Sequence, residues 1–308
     1  MVVGAGFATG REVMLYFYGA NVATIALAGA MLGVVFALFL IVARSGVYQY
    51  MKNTLIGRVV QGVMLLVSVS SLVVMTAGAE ELVGDLTGLP FVGVISTAIA
   101  GIIASRGMRH IKNINLVIVP LLIALIGYLT HGGVGLHGGA FMAHSATMYV
   151  GLNMLMAGYL LMESGEKMSS RDIGVSSIAV ALVFSVLLYA VLRSACVYKN
   201  GAMPLYLLAT SKGAKVVGGI IIYLSILSTL LGDALLVYDN IYVLTHHKYI
   251  AILSVMTIGI MSHFITFASA VAVVYKVQSV VGIVFIIYVF SSYVLQNVRV
   301  HRRVQLSS

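Results

Sequence analysis

Long uncharged apolar blocks, separated by short charged or glycine-rich breaks, make up nearly all of this chain. Residues 20–43, 59–79, 86–105, 173–192 and 277–298 carry no Asp, Glu, Lys or Arg. Each reaches the roughly 20 residues a helix needs to cross a bilayer. A longer block, 113–162, is divided by the glycine-rich stretch Thr130-His131-Gly132-Gly133 to His137-Gly138-Gly139, so it predicts two helices joined by a loop. Residues 216–238 predict a further span interrupted by Asp233, and 249–270 another. With a short segment at the start, the expectation is an all-α integral membrane protein of about ten transmembrane helices.

Composition strengthens that picture. Hydrophobic residues are 61% and charged residues 9% of the 308, against roughly 25% charged in soluble domains. The bilayer is therefore the first partner. No polar linker or tail suggests a second folded unit, so residues 1–308 read as one membrane domain. The opening residues lack the basic start, apolar stretch and cleavage site of a signal peptide. The single cysteine, Cys196, excludes an internal disulfide and any CxxC motif.

The net charge of +9 is explained by its distribution. With the N-terminus in the cytoplasm and alternating helices, one side collects Arg44, Lys52, Arg58, Arg106, Arg109, Lys112, Lys167, Arg171, Lys248, Arg299, Arg302 and Arg303. The other receives Arg193, Lys199, Lys212, Lys215 and Lys276. This follows the positive-inside rule and places both termini in the cytoplasm. The basic excess is a topological signal, and no nucleic-acid partner is expected.

The opening segment departs from the pattern. Gly4-Ala5-Gly6-Phe7-Ala8-Thr9-Gly10-Arg11-Glu12 places three glycines, a threonine and two charges where a span belongs. Each glycine costs about 1 kcal/mol in a helix relative to alanine, and intramembrane charges are costly. Such breaks are tolerated where protein or a water-filled cavity surrounds them, and they line substrate and ion sites in transporters. The half-helix after Gly10 would turn its positive end toward a carboxylate. Close helix packing through small residues is the simpler alternative, but it leaves the clustered Thr9, Arg11 and Glu12 unexplained.

The stretch VVGAGFATGREVMLYF resembles the opening motif of the YkvI-type bacterial membrane proteins, a group within the amino acid/polyamine/organocation transporter superfamily. Ala77-Gly78-Ala79, residues 115–120 and Tyr149-Val150-Gly151-Leu152-Asn153 fall in matching order. The resemblance implies a LeuT-type fold of two inverted five-helix repeats, here 1–130 and 145–298, with the first and sixth helices broken around a central site. It also implies residence in the bacterial inner (plasma) membrane. On that pattern the first helix is truncated, since only Met1, Val2 and Val3 precede the motif. Either the true start lies upstream, which is the expectation, or the copy is degenerate.

Two further regions bear on a site. Gly151, Asn153 and Gly158 interrupt the sixth apolar stretch, either as a second break or as packing and hydrogen-bonding positions. By the resemblance, Gly4, Ala5, Gly6, Thr9, Gly10, Gly151 and Asn153 are the expected substrate-binding residues. In the eighth span, Ser225, Ser228 and Thr229 share one helix face. They either bond back to their own helix or, as the resemblance implies, Ser228 and Thr229 join the carbonyls of Gly4 and Phe7 around a sodium ion, the one cofactor expected.

Asp233 lies one turn further on and is a functional candidate by its depth, as a proton carrier or the partner of a cation. Arg11 and Glu12 either pair with each other or gate the outer vestibule. His131, His137 and His144 lack the nearby acidic or cysteine partners of a metal site, and His263, buried in its span, reads as a hydrogen-bonded packing residue in preference to a proton relay. Pro120 is expected to kink the fifth helix.

These features predict a secondary transporter of a small solute, an amino acid or related compound, working by alternating access coupled to sodium or protons. The alternative is a non-transporting sensor or scaffold, or a degenerate transporter homologue. No Walker A motif, HExxH or GxSxG is present, and no enzymatic activity is expected. The substrate, stoichiometry and oligomeric state leave no mark in the sequence.

Overall fold

In the computed structural model, residues 4–47, 54–132, 139–164 and 168–305 are described. They form helices joined by short turns, with one isolated parallel bridge between Ala20 and Ala140. The helices are α1 (Ala5–Thr9), α2 (Arg11–Phe17), α3 (Val22–Arg44), α4 (Leu55–Thr87), α5 (Val92–Ala104), α6 (Met108–Thr130), α7 (Ala143–Ser164), α8 (Ser170–Ala195), α9 (Pro204–Ser211), α10 (Lys215–Thr245), α11 (Lys248–Ser262) and α12 (Phe267–Gln305). The first three residues, the loop centre with His137, and Lys52 and Lys167 lie outside the described residues.

Six of these helices are long and apolar enough to cross a membrane: α3, α4, α6, α8, α10 and α12. Two shorter apolar helices, α5 and α11, have 13 and 15 residues, or about 20 Å at 1.5 Å per residue. That falls short of a hydrocarbon core of roughly 30 Å. The chain is a multi-span membrane protein, all-helical as its apolar blocks predict. Pro120 lies inside α6, and the helix continues past it.

The chain divides into two compact units, each drawing segments from both halves of the sequence. The first comprises Met1–Val22, Met64–Phe141 and Val186–Tyr275. Its centre is α10, which touches α1, α5, α6, α9 and α11. Every residue from 230 to 238 is buried, so this part of α10 is enclosed by protein instead of facing lipid. Hydroxyl pairs tie neighbouring helices: Thr76 and Thr97 join α4 to α5 at 2.7 Å, and Ser96 meets the Tyr223 hydroxyl at 2.7 Å. Such hydrogen bonds suit a membrane interior, where apolar contact with a neighbour is no better than contact with lipid.

At one end of this unit the Glu80 carboxylate accepts the backbone amides of Phe91 and, at 2.7 Å, Gly93. It thereby caps α5, whose N-cap residue Phe91 holds a left-handed φ of 64°. His263 approaches the same carboxylate at 3.4 Å and stacks on Phe91 with centroids 4.6 Å apart. The sequence expectation for His263 was a buried packing residue; it is a half-buried member of this cap. Nearby, Tyr206 on α9 donates to Asp85 at 2.6 Å, and Lys215 pairs with the same carboxylate at 3.1 Å. Burial first, and then Asp85, push the Tyr206 phenol well above its ordinary value.

The second unit comprises Ala23–Val63, Met142–Ser185 and Lys276–Ser308. Its helices meet through small residues, as membrane helices do where backbones approach closely. Gly33 on α3 faces Ala181 and the Ser177 carbonyl on α8, and Gly158 on α7 faces the Phe39 ring. Phe39 in turn stacks on Phe285 at 5.6 Å.

Candidate functional site

The break in the first segment falls at Gly10. Its φ of 76° ends α1 and begins α2, a conformation that disfavours any residue with a Cβ. Thr9 closes the break locally. Its buried hydroxyl donates to the Gly6 carbonyl at 3.0 Å and accepts the Arg11 amide at 3.3 Å. The Gly4 carbonyl accepts the Ala8 amide and the Phe7 carbonyl accepts the Gly10 amide, both at 3.0 Å. Ala5, Gly6, Phe7, Ala8 and Thr9 are all buried.

Arg11 and Glu12 do not form the pair that adjacency suggested as one option. Arg11 Nη1 donates to the carbonyls of Lys199 at 3.1 Å and Gly201 at 3.3 Å. Lys199 returns the contact by donating to the Tyr18 hydroxyl at 2.8 Å. Consecutive helical residues point about 100° apart, so Glu12 turns the other way. It is 6% exposed, and its Oε2 lies against Gly6 where a side chain would begin. The Tyr275 hydroxyl lines the same spot, 2.8 Å from a Cβ built on Gly6. Gly6 is thus fixed by crowding: two polar side chains fill the space that any other residue would need.

The expected hydroxyls of the eighth span divide between two neighbours. Thr229 Oγ1 accepts the Ala5 amide at 3.1 Å and donates to the Ser225 carbonyl at 3.2 Å. Ser228 Oγ donates to Asn115 Oδ1 on α6 at 2.7 Å. Thr229 therefore meets α1 as the spacing predicts, while Ser228 faces a different helix. Asp233 is fully buried. Its Oδ2 accepts from Ser71 on α4 at 2.5 Å, and its Oδ1 has no hydrogen-bond partner among the described residues.

The option of a second break is corrected by α7, which runs unbroken from Ala143 to Ser164. Gly151 is a contact position: its Cα lies against the Ser279 carbonyl and Ile283, and Gly282 meets the Gly151 backbone in return. Asn153 donates to the Tyr149 carbonyl one turn back at 3.1 Å, which reinforces the helix. Both belong to the second unit, whereas the Gly4–Glu12 segment, Ser228, Thr229 and Asp233 belong to the first.

Ser71 and Tyr275 complete the polar cluster without any sequence signal. Ser71 stands 162 residues from Asp233 within a run of similar hydroxyls, and Tyr275 is one of 17 tyrosines. Only tertiary structure brings them to α10 and α1.

The class this defines is a helical, multi-span membrane protein with buried acids beside a broken helix. No family model matches the chain. Over 134 residues it is 34% identical to the uncharacterized membrane protein YkvI of Bacillus subtilis (strain 168), a match covering 40% of this chain and 39% of that protein. The chain therefore spans well under two thirds of the curated relative it matches.

Proposed function

We propose that the chain is a secondary active transporter of a small solute, an amino acid or related zwitterion. It would work by alternating access in a ten-helix LeuT-type inverted-repeat arrangement in the bacterial inner membrane, with both termini cytoplasmic. Sodium or protons drive the cycle, and no catalytic step or nucleic-acid partner is assigned. The observation that carries this reading is the buried break at Gly10, with two acids, Glu12 and Asp233, enclosed in the same unit. A helix bundle that served only as an anchor gains nothing from burying carboxylates, whereas ion-driven transporters require groups of this kind. The similarity to an uncharacterized membrane protein agrees with this class without naming a solute.

The substrate-binding candidates in the first unit are the backbone and side chains of Gly4, Ala5, Gly6, Thr9 and Gly10. Sodium would draw on Gly4, Phe7, Ser228 and Thr229. The α2 helix has seven residues, so its dipole is short and already faces the chain's own Glu12.

Continuity of α7 favours a second reading, a sensor or degenerate homologue that keeps the fold and has lost the sixth-helix break. Reconstituted vesicles separate the two. Saturable uptake or exchange of labelled amino acids from a panel of twenty, reduced by Gly6→Leu, supports transport. Absence of both for every member, with protein correctly inserted, removes it.

A further inference from the structure

We propose that the coupling ion is a proton and that Asp233 carries it, held in place by Ser71. This rests on the transporter reading above and chooses between the two ions left open there.

A sodium ion needs several oxygens aimed at one point, and the two hydroxyls among the four expected ligands face different helices. Gly4 and Phe7 direct their carbonyls to backbone amides. Thr229 accepts the Ala5 amide, a contact that turns an N–H, and not a cation, toward its lone pair. Ser228 donates away to Asn115. Assembling the sodium set would require Ser228 to turn from α6 toward α1.

Asp233 presents the opposite arrangement. One carboxylate oxygen is fixed by Ser71 at 2.5 Å, and the other, fully buried, accepts from no described donor. A single open oxygen cannot complete the coordination shell of a metal cation, but it is sufficient for a proton. The proton would bond to Oδ1 while Ser71 continues to donate to Oδ2. Loading forms one O–H bond and neutralises the carboxylate; release restores the charge and leaves the heavy atoms in place.

The surroundings make the charge matter. Residues 230–232 and 234–238 on either side are apolar and buried. The ionisable side chains near the site are Tyr275 on α12, which feels both Asp233 and Glu12, and Tyr16 on α2, which acts on Tyr275 and donates to its carbonyl at 3.1 Å. The charge on Asp233 therefore sits in a poorly screened interior, and loading the proton neutralises it.

The test uses the full chain. Infrared difference spectra across a pH titration should show a buried carboxylic C=O band that is lost in Asp233→Asn and kept in Glu80→Gln. No band lost in Asp233→Asn overturns the proposal without reference to any substrate. In vesicles, an inward proton gradient of one pH unit should drive up to about tenfold accumulation for one proton per neutral solute. Asp233→Asn should abolish that accumulation while keeping solute exchange between equal pools. Accumulation driven by sodium alone, retained in Asp233→Asn and lost in Ser228→Ala, overturns the proton and leaves transport standing. Absence of both exchange and accumulation in the unmodified chain overturns the transporter reading itself. Thermal unfolding in detergent confirms that Asp233→Asn folds, and Ser71→Ala, which removes the fixed partner and keeps the carboxyl, should shift the band without deleting it.

Discussion

Replacing Gly10 with alanine tests whether the first break is held by conformation alone or also by its neighbours. With φ at 76°, any Cβ there costs about 1–2 kcal/mol through its clash with the following carbonyl. The new methyl would also stand 3.2 Å from Leu205 Cγ, 3.2 Å from the Leu205 amide nitrogen and 3.4 Å from Pro204 Cβ. A backbone nitrogen cannot swing aside, so crowding adds about 1–2 kcal/mol, within the range for overfilled sites. The sum is about 2–4 kcal/mol. Gly88 supplies the control: its φ is 72°, and a Cβ there meets nothing within 4 Å. Gly88→Ala should cost about 1–2 kcal/mol, the conformational part alone. Unfolding of the purified protein in mixed micelles with increasing dodecyl sulfate, followed by circular dichroism, measures both. Equal losses for the two variants would show that α9 does not press on the break and would refute the reasoning.

Three other outcomes follow from the same geometry. Glu80→Gln leaves one of the two amides at the start of α5 without its charged acceptor, and should cost about 1–3 kcal/mol in the same unfolding assay; no change would show that the cap is idle. Ser228→Ala and Asn115→Ala should couple in a double-mutant cycle by about 0.5–1.5 kcal/mol, and strict additivity would remove their hydrogen bond. Arg11→Ala frees the carbonyls of Lys199 and Gly201, so protease cleavage near residues 199–203 should speed up several-fold while cleavage elsewhere is unchanged.

The parts legible in the sequence were those set by local composition. Uncharged blocks of about 20 residues marked the long helices, because a bilayer imposes a length. Gly10 was legible as a break because three glycines and two charges cannot make a continuous apolar helix. Gly151 and Asn153 look similar in sequence yet sit in an unbroken helix. The difference is tertiary: Gly151 is pressed against Ser279, and Asn153 finds its partner one turn back. A lone glycine or asparagine does not reveal which of these uses it serves. The direction of Ser228 was equally hidden, since helical spacing places it on a face without saying which neighbour covers that face. The split of Arg11 from Glu12 was legible in principle from their 100° offset, though the identity of each partner was not.

The hydrogen bond between Ala5 and Thr229 joins residues 224 apart, and that separation sets an order of assembly. Helices of five and seven residues are too short to persist alone, so α1 and α2 depend on partners for their shape. Arg11 draws on Lys199 and Gly201, and Ala5 on Thr229, all supplied by far later parts of the chain. At a synthesis rate of about 5–20 residues per second, the wait for Thr229 is roughly 10–45 s. Throughout that interval the glycine motif sits at the translocation machinery with its charges unmatched. A stall in translation after α3 has emerged and before residue 199 should therefore leave a nascent chain whose opening segment is open to chaperones and proteases, while α3 is already inserted.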